Sequence, residues 1–188
     1  IFWLCSFFFD RSGWKFVNNI PADLKKFVLV GAPHTSNWDF WLALTFFHKS
    51  KIKGKFTIKN QWLKFPFKKV FIALGAIGID REKIHSSGHQ NLTEYMASLF
   101  DGKDEFIMLM TPEGTRSPVK KWKTGFYYTA LKANVPIVLA YGDYTKKELG
   151  MRVVIYPTDY QTDMLKIIEF YKTVSPQNQD NFSTEVIY

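Results

Sequence analysis

Residues 106–140 read FIMLMTPEGTRSPVKKWKTGFYYTALKANVPIVLA, and this stretch decides the fold. It begins with an apolar run, Phe106–Met110, passes through a turn rich in Pro, Gly and Ser, and ends with a second apolar run, Ile137–Ala140. Between the two runs, Gly125–Ala133 is predicted to be a helix that ends at Asn134. Two nearly continuous apolar strands joined by a helix are typical of a βαβ unit in a buried sheet.

Apolar runs and segments of helical period also alternate on both sides of this unit. Further strands are predicted at Phe27–Val30 and Arg152–Tyr156, and residues 71–79 are a strand candidate that two glycines interrupt. The spacing of apolar residues predicts helices over Asp39–Lys49 and His89–Phe100. Strands that alternate with helices along the chain indicate a layered α/β fold.

The length of 188 residues predicts a single α/β domain over residues 1–188, with a mostly parallel or mixed central sheet flanked by helices. Its motif-bearing core is expected over residues 27–156, and the polar tail from residue 175 is expected to be mobile. The single cysteine, Cys5, excludes an internal disulfide and a thiolate metal cluster.

The N-terminal residues 1–9, IFWLCSFFF, are apolar and strongly aromatic. A bilayer span needs about 20 apolar residues, and no stretch of the chain approaches that length. We therefore expect this segment to be the end of a truncated membrane helix, an amphipathic helix at a membrane interface, or a helix packed on the core. Because the chain begins with Ile1 rather than Met, we expect a short piece to precede it.

The net charge of +8 is unevenly distributed. Between Asp39 and Asp80 the sequence has no acidic residue and eight lysines, which alternate with aromatic residues: Lys49, Lys51, Lys53, Lys55, Lys59, Lys64, Lys68 and Lys69. The simplest explanation is a solvated basic face, and the alternatives are contact with an anionic membrane or with nucleic acid. The interleaved aromatic residues favour the membrane slightly, since Trp and Phe insert at lipid interfaces.

The most chemically suggestive pattern is PHTSNWD at residues 33–39, in which Asp39 follows His34 by five positions. If the Asp39 carboxylate orients one ring nitrogen of His34, the other nitrogen is a base of fixed tautomer that can take a proton from a hydroxyl. The same residues fit a capping box, with Ser36 as the N-cap and Asp39 at the third helical position. A plain helix start is therefore the structural alternative, and it is compatible with the catalytic one.

Two further motifs place an arginine after a predicted strand. TPEGTRS at residues 111–117 contains Gly114, which permits close approach of the backbone to a ligand, and Arg116, whose guanidinium can bind a phosphate. GAIGIDR at residues 75–81 ends in Arg81. Ligand sites in α/β sheets gather at the carboxyl ends of strands, although a turn with a surface ion pair is the alternative at each position.

In this order, the His34–Asp39, GAIGIDR, PEGTRS and VPIV blocks resemble those of the glycerolipid acyltransferases typified by 1-acylglycerol-3-phosphate (lysophosphatidate) acyltransferases, over about residues 30–140. The resemblance implies that His34 and Asp39 are the catalytic dyad. The substrate-binding residues that it implies are Arg81, Glu113, Gly114, Thr115, Arg116 and, ahead of the second block, Lys59. The chain departs from the family pattern at Thr111, Gly78 and Leu139, positions that bear on the substrate pocket.

The implied enzyme is an O-acyltransferase of phospholipid biosynthesis, in which His34 is the general base. It moves a fatty acyl group from acyl-CoA or an acyl-carrier-protein thioester to the hydroxyl of a lysophospholipid, with 1-acylglycerol-3-phosphate as the expected acceptor. No metal and no cofactor beyond this thioester co-substrate is expected. The expected partners are the donor, the acceptor and an anionic membrane surface, without nucleic acid.

The expected location is the cytoplasmic face of a membrane, as a peripheral or monotopic protein. Two other functions remain open at this stage. One is a thioesterase or lipid phosphatase that uses the same dyad to activate water. The other is a non-enzymatic basic protein that binds anionic lipid or nucleic acid through residues 49–69.

Overall fold

A sheet with helices on both faces forms the protein in the computed structural model, which describes residues 2–60, 63, 68–79 and 91–185. The strands of this part of the chain are β1 (Lys15–Asn18), β2 (Lys26–Gly31), β3 (Lys55–Lys59), β4 (Ala76–Ile79), β5 (Phe106–Met110), β6 (Ile137–Asp143) and β7 (Glu148–Ile155). The helices are α1 (Phe2–Arg11), α2 (Trp38–Ser50), α3 (Lys68–Ala73), α4 (Leu92–Ser98), α5 (Gly125–Ala133) and α6 (Tyr160–Lys172). A short 3₁₀ helix follows at Gln179–Asn181.

The strand order is β1-β7-β6-β2-β5-β3-β4. β6, β2, β5, β3 and β4 run parallel to one another, whereas β7 is antiparallel to β6 and β1 is parallel to β7. The predicted α/β class with a mixed sheet is therefore confirmed. The predicted βαβ unit is present as β5–α5–β6, and its two strands pair with β2 from opposite sides.

Hydrophobic side chains cover both faces of β2, which lies at the centre of the sheet. Phe27 and Leu29 pack in one core with α1 and α2, while Val28 and Val30 pack in the other with α4, α5 and α6. All four side chains are fully buried. This two-sided burial explains why the strand reads as a continuous apolar run instead of an alternating one.

Several predicted boundaries agree with the structure, and β5 and α5 agree to the residue. β7 starts at Glu148, four residues before the predicted Arg152, and follows β6 through a tight turn in which Lys147 has a φ of 51°. The pair β6–β7 is thus an antiparallel hairpin and lies outside the crossover unit.

The strand candidate at residues 71–79 is half wrong. Its first part belongs to helix α3, and only Ala76–Ile79 forms a strand. Gly75 makes the reversal between them, with a φ of +96°, and a Cβ at this position would collide with the Gly54 carbonyl oxygen. Of the predicted helix at His89–Phe100, Leu92–Ser98 forms α4, and the Asn91 side chain caps it by accepting from the Glu94 N–H at 2.9 Å; residues 89 and 90 lie outside the described residues.

Helix α1 packs against α2 through one side, where Cys5 and Phe9 are buried. Its other side carries Trp3, Leu4, Phe7 and Phe8, which are exposed to solvent. Among the described helices, none has both the length and the apolar character that a membrane crossing requires.

Candidate active site

Three loops meet at the carboxyl edge of the parallel strands, and each contributes a side chain to one site. His34 lies in the loop after β2, Glu113 follows β5, and Tyr144 follows β6. Because β5 and β6 flank β2 in the sheet, their carboxyl ends bring residues about 80 and 110 positions from His34 next to it.

The Asp39 carboxylate in the first turn of α2 is held by four groups. Its Oδ2 accepts hydrogen bonds from the Thr35 N–H at 2.7 Å and the Ser36 N–H at 2.8 Å. Its Oδ1 accepts one from the Tyr144 hydroxyl at 2.7 Å. The His34 Nδ1 lies 3.5 Å from Oδ2, with 30% of the His34 side chain and 10% of the Asp39 side chain exposed. The structure thus brings the two predicted residues together, with the carboxylate anchored beside the imidazole.

Burial raises the pKa of Asp39, but the hydrogen bonds from His34, Ser36, Tyr144 and Thr35 lower it more, so the net shift is downward. Asp39 therefore stays ionised at neutral pH. A fixed, ionised carboxylate next to Nδ1 is suited to orient the ring and to stabilise an imidazolium.

The predicted capping box is wrong by one residue. α2 begins at Trp38 with Asn37 as its N-cap, and the Ser36 hydroxyl accepts from the Trp38 N–H at 3.0 Å rather than from Asp39. The other hydrogen bond of a capping box is present, because the Asp39 carboxylate accepts from the Ser36 N–H. Asp39 therefore stabilises the start of α2 and also lies beside His34.

Glu113 fastens the His34 loop to the loop after β5. Its Oε1 accepts the His34 N–H at 2.8 Å, and the residue is only 3% exposed. Its Oε2 is buried with no hydrogen-bond partner among the described residues. Burial is the main cause that raises the pKa of this carboxyl group to about 7. Glu113 thus binds the His34 N–H and holds the backbone of the His34 loop in place.

The other residues implied by the resemblance have different placements. Arg116 is exposed, and its guanidinium donates to the Asn37 side-chain carbonyl. Thr115 accepts from the Ser117 N–H through its hydroxyl oxygen at 3.3 Å. Lys59 is the last residue of β3, at the same sheet edge, but its side chain lies outside the described residues, as does all of Arg81.

A cavity of about 530 Å³ adjoins the dyad. His34, Asp39, Gly114 and Lys123 line it together with a larger apolar set from α2 and the neighbouring strands. That apolar set includes Leu29, Leu42, Leu44, Phe46, Phe47, Phe56, Leu74 and Leu109. The site therefore combines a positioned imidazole with a hydrophobic space of the size that small ligands occupy.

A family model for acyltransferases, described as Acyltransferase, matches residues 14–141. The chain belongs to this acyltransferase family. The match contains His34, Asp39, and the PEGTRS and VPIV motifs, so the resemblance seen in the sequence is confirmed at the level of the family. No curated protein matches the chain.

One solved structure with the same fold is the 1-acyl-sn-glycerophosphate (LPA) acyltransferase PlsC from Thermotoga maritima. The two chains are 19% identical and superpose with a TM-score of 0.55, over 90% of this acyltransferase and 75% of that chain. At this identity the likeness supports the fold.

Two side chains of the site were missed in the sequence. Tyr144 lies beyond the matched region and directly follows β6, which continues three residues past the predicted strand Ile137–Ala140, so the predicted bounds did not place it at the edge where ligands bind. Lys123 lies between the PEGTRS motif and α5, in a run of lysines that gave no reason to select one. No group of three or more potential metal ligands occurs in the described part of the acyltransferase.

Proposed function

We propose that this acyltransferase moves a fatty acyl group from an acyl thioester to the hydroxyl of a lysophospholipid, with 1-acylglycerol-3-phosphate as the expected acceptor. The observation that carries the proposal is that His34, oriented by a fixed Asp39, lines the same cavity as a large set of apolar side chains. A base and an acyl-sized apolar space are the two features that acyl transfer to a lipid hydroxyl needs.

In the proposed reaction, neutral His34 takes the proton of the acceptor hydroxyl as its oxygen attacks the thioester carbonyl carbon. The tetrahedral intermediate collapses with cleavage of the C–S bond, and the imidazolium returns the proton to the leaving thiolate. Asp39 orients the ring and stabilises its positive charge between the two transfers. No acyl-enzyme intermediate forms.

The backbone of the His34 loop serves the dyad in this scheme. The N–H groups of Thr35 and Ser36 donate to Asp39, and the N–H of His34 donates to Glu113. Because all three donors are already used, they hold the base in place and are not available to an oxyanion. A base fixed in this way needs little reorganisation when the acceptor arrives.

We also propose that the enzyme works at the cytoplasmic face of an anionic membrane, where both lipids reside. The exposed side of α1 supports this location, because Trp3 is 66% exposed and Phe8 is 60% exposed. Two further aromatic side chains, Trp38 and Phe40, are exposed in the first turn of α2, beside the dyad. Aromatic side chains of this kind insert into the headgroup boundary of a bilayer.

The decisive experiment replaces His34 by Ala and measures acyl transfer from acyl-CoA to 1-acylglycerol-3-phosphate by mass spectrometry of the lipid product. We expect the rate to fall by about 10²- to 10⁴-fold, the usual contribution of a positioned general base. His48→Ala is the matched control, since His48 is an exposed histidine of α2. Unchanged transfer in His34→Ala refutes the mechanism, and acceptor-independent release of fatty acid by the wild type supports a hydrolase instead.

A further inference from the structure

The cavity beside the dyad is lined by one exposed cation, Lys123, that the proposed mechanism leaves without a role. Of the described side chains that line the cavity, Lys123 alone carries a fixed positive charge. None of the ion pairs within the described residues includes it. Arg116, the phosphate ligand implied by the family resemblance, is bonded to Asn37 and is not among the residues that line the cavity.

The loop after β5 holds Lys123 in this position. The Lys123 N–H donates to the Pro112 carbonyl at 2.7 Å, which fixes its backbone next to Glu113 and Gly114. Its side chain then runs across Gly114, where an added Cβ would come within 2.9 Å of both Lys123 Cδ and Cε. Gly114 also has a φ of +64°, so the glycine provides both the turn and the space for the lysine.

The start of α5 adds a second source of positive potential. Gly125 and Phe126, its first two residues, line the same cavity as Lys123. The N-terminus of a nine-residue helix carries a partial positive charge and N–H groups without helical acceptors. The lysine and the helix end therefore favour an anionic ligand at one place in a cavity that is otherwise mostly apolar.

We infer that Lys123 and the N-terminus of α5 form the subsite that binds the phosphate of the acceptor lipid. This inference rests on the proposed function and names the group that positions the acceptor hydroxyl at His34. A phosphomonoester suits the subsite because its charge and multiple oxygens can satisfy both the ammonium group and the helix N–H donors. The nucleotide phosphates of a coenzyme A donor share this chemistry, and the test separates the two sources.

The test measures binding without turnover, by isothermal titration calorimetry of the wild type and Lys123→Met. The probes are a short-chain lysophosphatidate, the monoacylglycerol with the same acyl chain, and coenzyme A, each titrated without an acyl donor. We expect Lys123→Met to weaken lysophosphatidate binding by about 10- to 100-fold, the effect of losing a charge-assisted hydrogen bond. Binding of the monoacylglycerol, which has no phosphate, should weaken by less than about threefold. Lys123→Arg, which keeps the charge, should recover part of the affinity.

Lys120→Met is the matched control, because Lys120 is an exposed lysine of the same loop that does not line the cavity. Equal losses for lysophosphatidate and monoacylglycerol, no loss for either, or no lysophosphatidate binding by the wild type would overturn the inference. A loss for coenzyme A alone would assign Lys123 to the donor and also overturn it. Failure of the proposed function differs from all of these outcomes, since it is the absence of His34-dependent acyl transfer.

Discussion

Replacing Glu113 by Gln should make the protein more stable at high pH, and this change tests the packing beneath the His34 loop. The carboxyl group is 3% exposed, and its Oε2 has no partner among the described residues. Ionising such a group leaves a charge that water does not solvate and that the His34 N–H, which donates to Oε1, stabilises only in part. Gln keeps a side-chain oxygen to accept the His34 N–H and cannot ionise.

The magnitude follows from the pKa of Glu113, which burial raises from 4.5 to about 7. Below pH 4.5 the group is protonated in the folded and the unfolded chain, so it contributes no pH dependence. Between pH 4.5 and about 7 the folded protein binds more protons than the unfolded chain, so the free energy of unfolding falls as pH rises. Integrated from pH 5 to pH 8, this loss is about 2.5 kcal/mol.

The assay is urea unfolding followed by tryptophan fluorescence at several pH values from 5 to 8. Glu113→Gln should become more stable relative to the wild type by about 2.5 kcal/mol across this range. Glu169→Gln makes the same chemical change at an exposed residue of α6 and should leave the difference from the wild type within about 0.5 kcal/mol. A difference between Glu113→Gln and the wild type that does not change with pH would refute the reasoning.

Two further predictions concern the dyad and the membrane. Tyr144→Phe removes the hydrogen bond to Asp39, so the pKa of Asp39 should rise. The acid limb of the pH–rate profile should then move to higher pH, and kcat should fall about tenfold. An unchanged profile contradicts the role of Tyr144 in holding the Asp39 carboxylate. Replacing Trp3 and Phe8 together by Ser should weaken binding to anionic phospholipid vesicles in sedimentation assays about tenfold. Leu165→Ser, an exposed change on the opposite helical layer, is the control, and equal binding by all three proteins rules out α1 as the contact.

The parts of the fold that sequence reasoning predicts well are those where one local signal dominates. β5 is a run of five apolar residues, and α5 ends at Asn134, which adopts a left-handed conformation with a φ of 50°. α6 was not identified, although Asp159 caps it and its apolar residues Met164, Ile167 and Tyr171 follow helical spacing. The cap and the apolar spacing are local signals that the sequence carries for this helix.

Other elements could not be assigned from local pattern. The run Val70–Ala73 is short and apolar, and such runs fit a buried strand and a helix equally well by periodicity. Its helical form depends on the chain reversal at Gly75, which packs against Gly54 about 20 residues earlier. Contacts of this kind exist only after the two segments have met.

Within the candidate site, too, some residues could be predicted from local sequence and others depend on tertiary contacts. The pair His34 and Asp39 could be predicted because five residues and one helix start bring the two side chains together. Glu113 could be selected from its motif, but the sequence could not distinguish a group that binds substrate from one that binds the His34 N–H. Tyr144 reaches Asp39 only because β6 pairs with β2, a register that no local pattern encodes.

The position of the His34 imidazole is therefore a product of tertiary assembly. The loop that carries His34 is tied to Glu113, which follows β5, and the Asp39 carboxylate that holds this loop is itself tied to Tyr144, which follows β6. The polar C-terminal segment, for which the sequence predicts mobility, adds a third tie, since the Asn178 N–H donates to the Thr35 hydroxyl oxygen at 3.2 Å. These three partners are 79, 105 and 143 residues away along the chain from the groups they bind. The loop thus holds the imidazole beside Asp39 without a regular element of its own, because hydrogen bonds to three other parts of the chain restrict the loop and the carboxylate together.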